Sequence, residues 1–272
     1  VSVDGVAPKV SLTSPKAGAA VGDTVTVTAS ASDNKGVTWV EFYVDGDLAG
    51  TDTLAPWAFS WLTAGLPAGS HTLQAIAYDA AGNQAVSLPV TVRIDREPPS
   101  VRLTGLTEGD LLGRDYAVTI EATDDAGIVK AEFYVDGSVK GTATQEPFAW
   151  SLPASISSGS HTIRVKVTDA AGHTALSDPV AVVVDTALPT LTVSGLPSSA
   201  TGVVTATVTA TDNRGVDRVE VYIDGRMEYT LTDRTWVWDT AAFANGAHTV
   251  TFKAYDQAGN VTVKSLTVTV RN

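Results

Sequence analysis

The strongest constraint on the fold is that the chain repeats itself. The segment SDNKGVTWVEFYVDG (Ser32 to Gly46) returns as TDDAGIVKAEFYVDG (Thr123 to Gly137) and again as TDNRGVDRVEVYIDG (Thr211 to Gly225). A second segment, GSHTLQAIAYDAAGN (Gly69 to Asn83), returns as GSHTIRVKVTDAAGH (Gly159 to His173) and as GAHTVTFKAYDQAGN (Gly246 to Asn260). A fixed period identifies a repeat architecture before any secondary structure is assigned, and here the unit is about 90 residues. The 272 residues therefore divide into three units, expected at residues 1–95, 96–185 and 186–272.

Alternation within each unit indicates short strands. Val40, Phe42 and Val44 share one face, and their equivalents Ala131, Phe133, Val135 and Val219, Val221, Ile223 keep that face apolar. Leu73, Ala75 and Ala77 repeat the pattern further on, matched by Ile163, Val165, Val167 and by Val250, Phe252, Ala254. Two inward faces in one unit need two sheets covering one another. Asp45-Gly46, Asp136-Gly137 and Asp224-Gly225 supply the positive-φ residues of a tight hairpin turn. The expected fold class is all-β, three tandem β-sandwiches. A hydrophobic content of 44% is too high for a disordered chain, and no apolar run approaches the roughly 18 residues of a membrane span.

The D-N/D-x-G-V/I turn, the E-F/V-Y-V/I-D-G strand and hairpin, the G-S/A-H-T strand start and the D-x-A-G-N/H turn together resemble tandem bacterial immunoglobulin-like domains. The resemblance covers nearly the whole chain. It implies a head-to-tail series of immunoglobulin-like sandwiches in a large exported bacterial protein, extracellular or on the cell surface, serving as spacer, adhesive stalk or accessory module. Fold does not choose among these.

Each unit is entered through a short acid-to-proline linker: DGVAP from Asp4, DREPP from Asp95 and DTALP from Asp185. Each proline fixes φ, so the linkers should be semi-rigid. With ~3.3 Å rise per strand residue, three units in line would form a rod of roughly 120 Å. Val1 to Asp4 match the end of a preceding unit, so the chain is expected to be a fragment of a longer protein. Asn272 stands where Asp95 and Asp185 stand.

The linker acids carry the sharpest functional expectation. In an immunoglobulin-like topology Asp95 arrives at the pole that holds the turns of Asp124 and Asp169. The corresponding sets are Asp4, Asp33 and Asp79 for the first unit and Asp185, Asp212 and Asp256 for the third. Three carboxylates with backbone carbonyls and a turn amide could supply the roughly six to eight oxygen ligands of Ca²⁺, which would stiffen the joint. Asp125, Asn34 and Asn213 are secondary candidates. The competing reading is that Asp and Asn before Gly are ordinary turn residues bonding their own backbone.

Other constellations lead away from catalysis. His71, His161 and His248 occur once per unit and suit a hydrogen bond closing the preceding loop; the neighbouring Ser70 and Ser160 point to the opposite face, and the third unit has Ala247. His173 replaces Asn83 and Asn260 and is isolated in the sequence. Trp57, Phe148 and Trp236 are aligned with one another, as are Phe59, Trp150 and Trp238, which suggests core packing. Trp39 and Trp61 are then specific to the first unit, and an outward-facing tryptophan could stack on a sugar ring. With no cysteine and a net charge of -12, disulfides, thiolate chemistry and nucleic-acid binding are excluded as expectations. The reading that results is a non-enzymatic, monomeric spacer or stalk whose partners are other domains of a longer chain. The alternative is an adhesive or carbohydrate-binding module that uses Trp39 and Trp61 against a surface glycan or a host or prey protein.

Overall fold

A computed structural model describes residues 4–231 and 234–272. The expectation for Val1 to Val3 lies outside the described residues. Each repeat is a sandwich of two sheets, as the paired inward faces require. In the first unit Thr24–Ser32 is flanked by Lys9–Ser14 and Ala58–Leu62 in a three-stranded sheet. The facing sheet runs Ala20–Val21, Val90–Ile94, Gly69–Asp79, Val37–Val44, Asp47–Asp52, with Gln84–Val86 also on Gly69–Asp79. Ala20–Val21 pairs parallel to Val90–Ile94 while its neighbours are antiparallel. The chain therefore starts in one sheet and crosses to the other before its second long strand.

Between the sheets lie Val27, Val40, Phe42, Leu73, Ala75, Ala77, Val92 and Ile94, each at most 2% exposed. Equivalent clusters fill the other two units around Phe133 and Phe252. Each buried Val, Leu, Ile or Phe contributes about 1.5–3 kcal/mol, so the repeated apolar alternation is what holds each sandwich shut. The hairpin chemistry is as read: Asp45, Asp136 and Asp224 have φ of 53°, 49° and 50°, each followed by a positive-φ glycine.

Two differences between units have local causes. Pro89 and Pro179 have no N–H to give a ladder, and the last strand of those units is interrupted before Val90–Ile94 and Val180–Val184. Ser265 takes that place in the third unit, where Val261–Val270 runs unbroken. The second difference corrects the aromatic alignment. Strand pairing sets Phe59 opposite Val27, Trp150 opposite Val118 and Trp236 opposite Ala206. Trp238 lies opposite Val204 as Trp61 lies opposite Val25. Trp236 is therefore the counterpart of Phe59 and Trp150, and Trp238 that of Trp61. The step from the strand end at Leu231 to the strand start at Thr235 is two residues shorter than that from Asp52 to Ala58 in the first unit, which moves its register by two.

Candidate metal centres where the linkers enter

The turn acids have the geometry of both competing readings at once. Asp33 Oδ1 accepts hydrogen bonds from the N–H of Lys35 (2.8 Å) and Gly36 (3.2 Å), and Asp212 and Asp124 accept likewise from Arg214 and Ala126. In the second turn Asp79 Oδ1 accepts from Ala81 and Asn83, Asp169 Oδ1 from Ala171 and His173, and Asp256 Oδ1 from Asn260. One oxygen of each carboxylate thus closes its own turn. Burial pushes Asp79 up, but the Asn83 side chain and the N–H groups of Asn83, Ala81 and Gly82 outweigh it and hold the carboxyl below its ordinary range.

The linker acid then brings a third carboxylate to each pair of turns. Oxygens of Asp4, Asp33 and Asp79 lie within 4.8 Å of one another, as do those of Asp185, Asp212 and Asp256. Around Asp95 the cluster divides in two: Asp95, Asp169 and His173 form one group, Asp95, Asp124 and Asp125 another. The expected set of Asp95, Asp124 and Asp169 thus forms two groups sharing Asp95, and His173, isolated in the sequence, is part of the site.

Charge is poorly balanced around Asp95 and Asp4, whereas Asp185 Oδ2 has the Arg214 guanidinium 3.7 Å away. Asp95 is 1% exposed, its Oδ1 accepts from Glu97 N–H, and its Oδ2 has no hydrogen-bond partner. Asp4 Oδ2 is buried without a partner as well. A buried unpartnered carboxylate oxygen is costly unless a cation serves it. The turn amides add to the imbalance. Asn34 Nδ2 reaches Asp4 Oδ1 at 3.4 Å while its other amide atom faces both oxygens of Asp33 at 3.1 and 3.3 Å. Asn213 stands in the same way between Asp185 and Asp212. An amide has one NH₂, so in either orientation its oxygen faces a carboxylate.

The clusters around Asp95 and Asp185 sit where successive units touch. A Cβ added to Gly22 would lie 2.5 Å from the Ala171 carbonyl oxygen, and one on Gly113 would lie 2.4 Å from that of Ala258. The third unit has Thr201 at this position. Arg114 N–H donates to Asn260 Oδ1 (2.7 Å), and Asn260 Nδ2 donates to the Asp185 carbonyl (2.8 Å). Arg93 pairs with Asp125 across the preceding boundary. Arg96, in the linker, is held by Asp23 and the Thr63 carbonyl. The glycines were missed in the sequence; their signal was a glycine after the short parallel strand in two units only.

The three repeated histidines have a scaffold geometry. His71, His161 and His248 place Nδ1 2.6 Å from Asp45, Asp136 and Asp224, and Nε2 faces a carbonyl four residues back. Each ties a hairpin tip to the start of the facing strand. Burial lowers the His161 pKa, but the bonds from Asp136 and the Ser157 carbonyl outweigh it and the value is raised; that of His248 is raised by the Ala244 carbonyl and Asp224.

Trp61 is 4% exposed and meets His71 edge-on at 5.8 Å. It is a core residue shared with Trp238, which corrects the expectation that it faces outward and is specific to the first unit. Trp39 is half-buried on the outer face and stacks on Tyr78, with ring centroids 4.6 Å apart. Arg218, at the corresponding place in the third unit, lies over Tyr255.

Two facing sheets, the short parallel strand and the threefold repetition define a chain of immunoglobulin-like sandwiches. The bacterial Ig domain model matches residues 8–75, 99–165 and 190–251, and the chain belongs to that family. It is 29% identical over 161 residues to the long isoform of ulvan lyase from Alteromonas sp. (strain LOR), covering 48% of this chain and 16% of that protein. The ulvan lyase of Pseudoalteromonas sp. (strain PLSV) matches to the same extent. The chain thus spans about a sixth of the length of these relatives. Among solved structures, the fibronectin(III)-like modules of Clostridium thermocellum CbhA are 26% identical, with a TM-score of 0.49 over 65% of this chain and 94% of that one.

Proposed function

We propose that the chain is a non-catalytic stalk or spacer segment of an exported bacterial protein, extracellular or at the cell surface, with Ca²⁺ stiffening the points where linkers enter the units. The observation that carries the reading is the buried, unpartnered oxygen of the linker acid, Asp95 Oδ2 and Asp4 Oδ2, set among turn carboxylates. Around Asp4 and Asp185 the acidic donors are oxygens only, with amides flanked by carboxylates, which suits a hard cation. The ligands come from both sides of a linker, so the ion would restrain its angle. The likeness to part of ulvan lyase supports a place beside a lyase module in a longer chain. The immunoglobulin-like fold is typical of non-catalytic domains, which supports the non-enzymatic reading.

The test is thermal unfolding with Ca²⁺ and with chelator. At a hundredfold excess over Kd the ion should add about 2.7 kcal/mol, roughly 10 °C or more for a unit of this size. Superimposable melting curves under the two conditions would remove the calcium from the proposal. Trp39 stacked on Tyr78 favours a second reading, carbohydrate binding on the outer sheet of the first unit.

A further inference from the structure

The cluster around Asp95 differs from those around Asp4 and Asp185 at two positions. Asp125 stands where the others have Asn34 and Asn213, and His173 stands where they have Asn83 and Asn260. Asn83 and Asn260 donate Nδ2 to Asp79 and Asp256 at 2.7 Å and bond linker carbonyls with the same nitrogen, so they are donors that hold the turn. His173 keeps the hydrogen bond to its turn carboxylate but faces a linker carboxylate in place of a linker carbonyl. Its Nδ1 is 3.1 Å from Asp169 Oδ2 and 3.6 Å from Asp95 Oδ2, the buried oxygen that has no hydrogen-bond partner. Bonds of about 2.0–2.1 Å to a common ion give ligand–ligand edges of ~3.0 Å in an octahedron and ~3.4 Å in a tetrahedron. The two edges to His173 Nδ1 fall close to these, and the Asp95 and Asp169 oxygens lie within 4.8 Å of each other.

We propose that Asp95, Asp169 and His173 Nδ1 form a site for a borderline divalent transition metal such as Zn²⁺, chemically distinct from the oxygen-only clusters at the other two linkers. It rests on the reading of the linker acids as cation ligands. Imidazole with carboxylates suits Zn²⁺, Co²⁺ or Mn²⁺, whereas Ca²⁺ takes oxygen. The nearby Asp124 and Asp125 leave the site negative, and Gly22 of the preceding unit closes it on the His173 side. The effect is to give the joint between the first and second units a different ion requirement from the joint between the second and third.

The experiment uses the full untagged chain, titrated with Co²⁺ and followed by visible absorption, then with Zn²⁺ and Ca²⁺ followed by melting. Co²⁺ should give a ligand-field band saturating near about one equivalent and displaced by Zn²⁺ in preference to Ca²⁺. His173→Asn should abolish the band and weaken Zn²⁺ binding more than about tenfold, since loss of even a supporting residue costs that much. It should leave the Ca²⁺ melting shift in place. His173→Asp, which keeps a ligand, should retain binding but favour Ca²⁺, and His161→Asn should leave the band unchanged. A band that survives in His173→Asn, or no band in the parent chain, overturns the proposal. A calcium shift without the band retires this site alone; the band without a calcium shift retires calcium at the other two.

Discussion

Gly113→Ala isolates the contact between the second and third units. Gly113 is not in the left-handed region, so alanine suits its own backbone, and the added carbon meets only the neighbouring unit. It would stand 2.4 Å from the Ala258 oxygen and 3.0 Å from Asn260 Oδ1. That is about 1 Å short of van der Waals contact. The opposing turn cannot retreat easily, because Asp256 accepts from Asn260 N–H and Nδ2. The units must move apart, at the ~1–3 kcal/mol that overpacking costs. A shift of that size changes the ratio of closed to open junction by roughly 5- to 150-fold. Amide hydrogen exchange reads it directly: the Arg114 N–H, which donates to Asn260 across the boundary, should exchange faster by about that factor. Amides within Val180–Val184 should be unaffected. Unchanged Arg114 protection would show that the junction does not close as described and would refute the reasoning.

Two further outcomes follow. His161 and His248 have raised pKa values, so their contribution is complete below the ordinary value of 6.5 and is lost as pH rises through the folded value; Asp136 and Asp224 are lowered, and theirs is lost only as pH falls below about 3.8. Melting temperature measured with chelator should therefore fall between pH 6 and pH 8, and the double variant His161→Gln, His248→Gln should flatten that slope; an equal slope in both proteins contradicts the pairing. Trp39→Ala should abolish any retention on immobilised polysaccharide while lowering stability little, and retention that persists would remove the outer face of the first unit from the carbohydrate reading.

Much of this was legible in the repeats, and what was not has identifiable causes. The inward faces and Asp-Gly hairpins were readable because strand alternation and turn chemistry are local. The grouping of Asp185, Asp212 and Asp256 was readable because the repeat carries its acids to the same pole each time. The tryptophan register was not, since a slip of two residues leaves every side chain on its original face. Only pairing distinguishes Trp236 over the strand of Phe252 from its alternatives, and Tyr229 there replaces the Gly50 and Gly141 over which Phe59 and Trp150 pack in the other units. His173 and Gly113 act across a boundary between units, and periodicity within one unit holds no information about its neighbour.

The short parallel strands decide how such a chain would behave under tension. Ala20–Val21 on Val90–Ile94, Leu111–Leu112 on Val180–Val184 and Ser199–Ala200 on Val261–Val270 join the start of each unit to its end. Pulling the chain from both ends drags the two partners in opposite directions along their length. The bonds between them are then loaded together in shear and do not open one after another, so each sandwich is latched by a few residues that must all yield before its core is exposed.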